Sequence, residues 1–317
     1  MHVHGTGERL KLSALFTAVL VAVELAIGWW AHSLALMADA GHNLTDVLAL
    51  VLSAWAFAMA SRPADPQRTF GYHRVGVLAA LANALTLVIL AAYIFVEGYH
   101  RLRNPEPVAS LPMIALALVA FAFNGGIVLL LHRSAGDDVN VRSAVIHMAG
   151  DAVSSLGVVV AGVLIMVTGV SVWDPLASLL IGVFIVYTSW GIIVETVNIL
   201  LEGTPVGLRV DLVVQDIEQV PGVKRVHDLH TWTLGPSVRA LSAHLELTDP
   251  VCDSRSEVME IVREVKSILA TRHRIAHATL ETHCSDCAGE TVACQIVRPL
   301  AHAHDHQHDH SHPGHRH

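Results

Sequence analysis

Charge is scarce in this 317-residue chain: 15% of residues are Asp, Glu, Lys or Arg, 53% are hydrophobic, and the mean hydropathy is +0.50. Soluble domains carry about a quarter charged residues, so the composition argues against an ordinary soluble globule. Basic stripes are missing too, and the formal net charge of −8 excludes a nucleic-acid role on electrostatic grounds. No cysteine precedes Cys252, the others being Cys284, Cys287 and Cys294. An HExxH or similar hydrolytic pattern is absent, which counts against an intramembrane metalloenzyme.

What the chain does have is long apolar runs, at about 12–31, 34–60, 76–99, 111–132, 142–169 and 175–200. Each is near the roughly 20 residues that a helix needs to cross the hydrocarbon, so six transmembrane helices are expected. Glu24 interrupts the first run and no small-x-small cleavage site follows it, so that run is read as a mature helix rather than a signal peptide. Arg9, Lys11, Arg62, Arg68, Arg74, Arg133 and Arg142 fall on one side of the membrane, against Arg101 and Arg103 on the other. Positive charge stays inside, which makes both termini cytoplasmic and puts all four cysteines in reducing surroundings, where thiolate chemistry or metal binding is favoured over disulfides.

From 205 the pattern changes. Val213, Ile217 and Val220 recur at helical spacing, and "PGV" at 221–223 ends that helix. "RVHDLHTWTL" (225–234) and "RALSAHLELT" (239–248) flank a "GPS" turn, the second alternating Leu241, Ala243, Leu245 and Leu247 with polar residues, as a hairpin with one apolar face does. A helix over 254–270 and a strand over 277–283 complete an αββαβ order, a small α+β open-faced sandwich. The expected organisation is a cytoplasmic segment at 1–11, a six-helix transmembrane domain at 12–204, a cytoplasmic domain at 205–298 and a tail at 299–317. That tail holds eight histidines in 302–317 interleaved with Asp, Gln and Ser, and reads as a disordered metal-collecting segment.

Two oily segments carry the same outer letters, "HNLTD" at 42–46 and "HMAGD" at 147–151. An unpaired Asp in mid-membrane costs roughly 2.5–3.5 kcal/mol on insertion scales, so such groups usually face partners or a water-filled path. Residues four apart share a helix face, so His42 with Asp46 and His147 with Asp151 each present an imidazole and a carboxylate together. Two facing helices would bring these four to one point, an N₂O₂ shell that suits zinc, whereas an all-oxygen shell leans toward manganese or magnesium. The same residues could instead be His–Asp hydrogen-bond pairs that clamp the bundle.

"SLALMADAGHNLTDVLAL", "RTFGYHRVGVLAALAN", "VIHMAGDAVSSLGV" and "VHDLHTWTL" resemble the cation diffusion facilitator (CDF) family, its bacterial zinc-transporting branch in particular, over about residues 12–283. The resemblance implies six spans, a metallochaperone-like cytoplasmic domain, a homodimer in the inner membrane, and zinc export against inward protons by a secondary active transporter rather than an enzyme. It implies that His42, Asp46, His147 and Asp151 form the transport site. It places a cytoplasmic zinc site at His227, His244, Glu281 and His283, to which "HCSDC" could add Cys284 and Cys287.

Some relatives carry a further metal site in the loop after the second span. Asp65 matches one of its ligands, but Tyr72 stands where a histidine is often found and His73 is shifted by one, which counts against that site here. Arg74 and Glu202 match a charge pair that links the third and sixth spans in the family. The expected function is therefore a zinc/proton antiporter, with cadmium and cobalt as further candidate cargoes, Asp39 guiding the ion, and zinc as both substrate and cytoplasmic ligand. No prosthetic group is expected, and the partners are a second copy, membrane lipid, divalent metal ions and protons. The competing reading is a non-transporting zinc sensor or scaffold that uses the quartet as a clamp.

Overall fold

The computed structural model describes residues 4–132, 139–235, 238–252 and 254–284. The histidine-rich tail, Cys287 and Arg133 lie outside them. Six long helices come first: α1 (His4–Trp30), α2 (Leu34–Ala60), α3 (Arg74–Arg103), α4 (Ser110–His132), α5 (Val139–Thr168) and α6 (Trp173–Leu200). There follow α7 (Val210–Glu218), β1 (Val223–Gly235), β2 (Val238–Leu247), a single turn α8 (Asp249–Cys252), α9 (Arg255–Arg272) and β3 (Ile275–His283). The expected αββαβ order is present, with α8 as an addition. The chain divides into two compact units: residues up to 208 with Thr231–Ala240 and Arg274–His277, and Arg209–His230 with Leu241–His273 and the chain from 278.

In the first unit, α2 to α6 are each long and apolar enough to cross a membrane. The apolar part of α1 with described side chains, Thr17–Trp30, is shorter, although its helix begins at His4. Large apolar side chains such as Phe57, Ile89, Leu130, Val167 and Leu180 point outward along these helices. A surface of that kind is stable only against lipid, so this is a multi-pass membrane protein. Small residues fill much of the interior: Ala35 and Ala38 on α2, Ala91 on α3, Ala117 on α4 and Ala161 on α5 pack with Leu36, Leu87, Ile94, Met113, Val158 and Ile185. Without a hydrophobic force between helices in lipid, such small contacts let backbones approach and gain dispersion energy.

One buried carboxylate organises the start of α2. Ser33 caps that helix by accepting from the Leu36 amide at 3.1 Å, and its hydroxyl donates to Asp174 Oδ1 at 2.6 Å. The Leu34 amide donates to Asp174 Oδ2 at 2.7 Å and the Ala35 amide to Oδ1 at 3.2 Å. Asp174, in the first turn of α6, thus supplies the acceptors that the first amides of α2 lack and sits where the helix dipole favours negative charge. Asp174→Ala leaves these donors buried without acceptors, at about 1–3 kcal/mol for each group. A clearly lowered melting temperature in detergent is the expected result.

In the second unit the sheet has the order β1-β2-β3. Central β2 buries Leu241, Ala243, Leu245 and Leu247 on one face, as their alternation predicts, and Val213 and Ile217 of α7 and Ile261, Val265 and Leu269 of α9 are buried as well. Gly222, in the middle of the "PGV" segment, has φ +95°, and a Cβ there would lie 2.5 Å from Ile261 Cδ1, so both conformation and space demand glycine. Arg272 and His273, at the end of α9, donate to Asp216 of α7 at 2.9 and 2.8 Å and tie the two helices together. Buried Glu246 accepts from Lys224 at 2.6 Å and Arg225 at 3.2 Å, which offsets its desolvation.

Candidate metal centres and family membership

Helices α2 and α5 bring the four residues of the repeated motif together. His42 Nε2 lies 3.7 Å from Asp46 Oδ2 and 3.5 Å from Asp151 Oδ1. His147 Nε2 lies 3.4 Å from Asp46 Oδ2 and 3.7 Å from Asp151 Oδ2. Each carboxylate therefore touches both imidazoles, and the rings meet edge to face with centroids 6.2 Å apart. These spacings exceed the roughly 2.7–3.2 Å of a hydrogen bond. A tetrahedral ion with ligands at about 2.0–2.2 Å would hold every pair of its donors about 3.3–3.6 Å apart; the four His–Asp pairs are close to that, while His147 stands outside the group of His42, Asp46 and Asp151 whose donor atoms all lie within 4.8 Å of one another.

Two further features fit a metal cargo. Asp46 Oδ2 is buried without a hydrogen-bond partner, and donor atoms of His42, Asp46 and Asp151 all lie within 4.8 Å of one another. Access is one-sided, because the side chains of His42 and Asp151 are only 7% and 3% exposed while that of His147 is 47% exposed.

Asp39, one turn before His42, is fully engaged elsewhere. Its Oδ1 accepts from Ser154 at 2.6 Å and its Oδ2 from Ser155 at 2.9 Å, all three residues being buried. The carboxylate so placed pins α2 to α5 just beyond the quartet.

On the sheet, His227, His244 and His283 offer donor atoms within 4.8 Å of one another. His227 Nε2 and His283 Nε2 are 2.9 Å apart, and the ring of His244 stands 5.2 Å from that of His227. Glu281 reaches the rim, its Oε2 3.6 Å from His244 Nε2. Sequence reasoning missed Asp228, whose Oδ2 lies 3.5 Å from His244 Nε2 and whose Oδ1 lies 3.5 Å from His230 Nε2. Its φ of +51° turns it onto the histidine side, out of step with strand alternation, and that left-handed twist has no sequence signal beyond Asp's tolerance for it.

Cys284 departs from the expectation of a metal-binding thiolate: it is disulfide-bonded, and an oxidised sulfur has no thiolate to offer. Its CxxC companion Cys287 lies outside the described residues. In the loop, Asp65 accepts from the Tyr72 hydroxyl at 2.7 Å and from the Gln67 and Arg68 amides at 2.8 and 2.9 Å. The Tyr72 hydroxyl first, and those amides with it, hold the carboxyl below the usual range and commit it to closing the turn. Arg74 and Glu202 meet at 2.9 Å, half exposed, joining the start of α3 to the end of α6.

Burial, and then the imidazoles of His283 and His244, hold His227 below the ordinary histidine value of 6.5, so near neutrality it is uncharged, the form that binds metal. The unfolded chain takes up this proton as pH falls through 6.5, whereas the folded chain does so only at lower pH. The contribution is therefore intact above 6.5 and is lost as pH falls toward the folded value. Metal-free protein should accordingly melt at lower temperature at pH 5.5 than at pH 7.5, and His227→Gln should flatten that part of the dependence.

A bundle of membrane-crossing helices with a buried N₂O₂ set, followed by a small domain with a histidine cluster, is the architecture of a membrane metal-cation transporter. Comparison with known families agrees. Residues 10–201 match the cation efflux transmembrane domain and residues 205–285 the cation efflux protein cytoplasmic domain. The chain belongs to the cation efflux family, the cation diffusion facilitators to which its motifs pointed, and is thus of a transporter family and not an enzyme family.

Similar proteins include the zinc transporter ZitB of Pectobacterium atrosepticum, 33% identical over 285 residues that cover 89% of this chain and 87% of that protein. The metal cation efflux system protein CzcD of Cupriavidus metallidurans is 34% identical, covering 90% and 89%. A cadmium, cobalt and zinc/H(+)-K(+) antiporter of Bacillus subtilis is 32% identical, covering 88% and 91%.

Proposed function

We propose that the protein is a homodimeric zinc/proton antiporter of the inner membrane, with both termini in the cytoplasm, that exports cytosolic zinc through His42, Asp46, His147 and Asp151. The observation that carries this reading is the spacing within the quartet: four Nε2-to-carboxylate separations of 3.4–3.7 Å, too long for hydrogen bonds and suited to an ion held between imidazole and carboxylate. A clamp would close those pairs to hydrogen-bond length. Two imidazoles in the shell favour zinc over manganese or magnesium, and cadmium and cobalt are the next candidates.

Proton exchange follows from the ligands. Imidazole must be neutral and carboxylate ionised to hold the ion, so loading releases protons and reprotonation helps expel the metal. Moving each net charge outward against an inside-negative potential costs about 2.3 kcal/mol per 100 mV, which inward protons reduce. His227, His244 and His283, with Glu281 and Asp228 at the rim, would load when cytosolic zinc rises, draw the two cytoplasmic domains of the dimer together and bias the bundle. The membrane half is tested by zinc uptake into vesicles holding the protein, with acid inside. Accumulation that collapses on adding a protonophore is expected, and uptake indifferent to the gradient would contradict antiport. The cytoplasmic half is tested by His244→Ala with Glu281→Ala, which should remove the zinc dependence of transport while leaving the quartet intact.

A further inference from the structure

Five carboxylates are almost completely buried in the described residues, and four have an evident reason to be there. Asp39 has Ser154 and Ser155, Asp174 has Ser33 and two amides, Glu246 has Lys224 and Arg225, and Asp151 belongs to the quartet. The fifth is Glu24. It is 0% exposed, and neither of its carboxyl oxygens has a hydrogen-bond partner among the described residues.

Its place in α1 is specific. Val21, Glu24 and Gly28 form the buried stripe of this helix, so the carboxyl points into the bundle and not toward lipid. Glu24 lies six residues before the end of α1 at Trp30, and Asp39 five residues after the start of α2 at Leu34, so across the short antiparallel connection the two stand at the same depth. Asp39 and Asn43 of α2 are the polar groups that act on it. Gly28 allows the close approach: a Cβ there would lie 3.0 Å from Met37 Cγ and 3.2 Å from the Met37 amide nitrogen. The contact seals Glu24 from water on that side.

An ionised carboxylate in such a place, with the Asn43 amide near it but no hydrogen bond of good geometry made to either oxygen, would be costly, whereas the neutral acid is tolerable. Charged neighbours sharpen the case. From α2 comes Asp39, with His42 one turn further and Asp46 two turns further. The described side chains of α4, Ser110–Leu131, include no ionisable group, nor does α1 from Thr17 to Trp30 apart from Glu24 itself. The ionisable groups on α2, the helix most closely packed against α1, thus lie between Glu24 and the quartet or within it. A divalent ion in the quartet adds positive charge on that side of Glu24, and nearby positive charge works against a carboxylic acid keeping its proton.

We infer that Glu24 is a proton-carrying residue of the exchange, distinct from the metal ligands and coupled to them through Asp39. Its carboxylate takes a proton from the acidic side when α1 opens to water, forming the O–H of a carboxylic acid. Sealed against α2, it keeps that proton. When the quartet loads with metal on the cytoplasmic side, the O–H breaks heterolytically and the proton leaves to cytoplasmic water. No bond to the metal is involved, and no redox partner is needed.

This inference rests on the antiport reading, and the test separates the two. Wild-type protein, Glu24→Gln and Glu24→Leu are reconstituted at full length. Three quantities are read: zinc binding, protons released per zinc bound, and the pH-gradient dependence of uptake. Both variants should bind zinc like wild type, release about one proton fewer per zinc, and lose most of the stimulation of uptake by an acid interior. Glu24→Leu also removes an unpartnered buried polar group, so it should melt no lower than wild type, which keeps the test open if the glutamine variant folds poorly. A coupled wild type with either folded variant equally coupled overturns the role of Glu24 alone. A wild type that shows no gradient-driven uptake overturns both readings.

Discussion

Replacing Asp151 by alanine is expected to abolish zinc accumulation in vesicles, at least a hundredfold below wild type, while the protein still folds and its cytoplasmic cluster still binds zinc. Asp151 is buried, and its two oxygens face different histidines, Oδ1 toward His42 at 3.5 Å and Oδ2 toward His147 at 3.7 Å. Without it, three ligands remain, and among the described residues the nearest other acid, Asp39, is held by Ser154 and Ser155. Loss of groups that only support metal ligands typically costs about 10–100-fold, so loss of a ligand costs more. Zinc-sensitive cells expressing the variant should be no more tolerant than cells without the protein. Transport within threefold of wild type would remove the quartet from the mechanism.

The second large effect is on metal choice. His42→Asp would convert the shell from two nitrogens and two oxygens to one nitrogen and three oxygens. Imidazole suits zinc and carboxylate suits harder ions such as manganese, so zinc affinity should fall at least tenfold, about 1.4 kcal/mol, while manganese loses less or gains. A smaller penalty applies to folding, because His42 Nδ1 is buried without a partner and replacing the ring removes that unsatisfied atom. Competition uptake with zinc and manganese measures the ratio directly. An unchanged ratio would mean that selectivity is set elsewhere on the path.

How much of this was legible beforehand depended on whether the signal was local. The quartet could be read because each His–Asp pair is four residues apart on one span, so helix geometry alone aligns the pair, and only the meeting of α2 with α5 had to be assumed. The αββαβ order was equally open, since β2 alternates cleanly and "PGV" punctuates where Gly222 takes a positive φ. Contacts between distant segments were not. That Asp39 is spent on Ser154 and Ser155, or that Asp174 caps a helix 140 residues away, depends on tertiary packing that no periodicity encodes. Asp228 was missed because a left-handed residue breaks the strand alternation from which its face would have been inferred. Cys284 was read from its expected surroundings and not from its partner.

The measurement that bears most directly on the central claim follows zinc and protons together in the same vesicles, with a zinc dye and a pH dye trapped inside and no gradient imposed at the start. Adding zinc outside should drive zinc in and protons out with matching time courses, and both signals should vanish in Asp151→Ala. Zinc bound to the protein without any entry, or zinc entry with no proton movement, would contradict an antiporter working through His42, Asp46, His147 and Asp151.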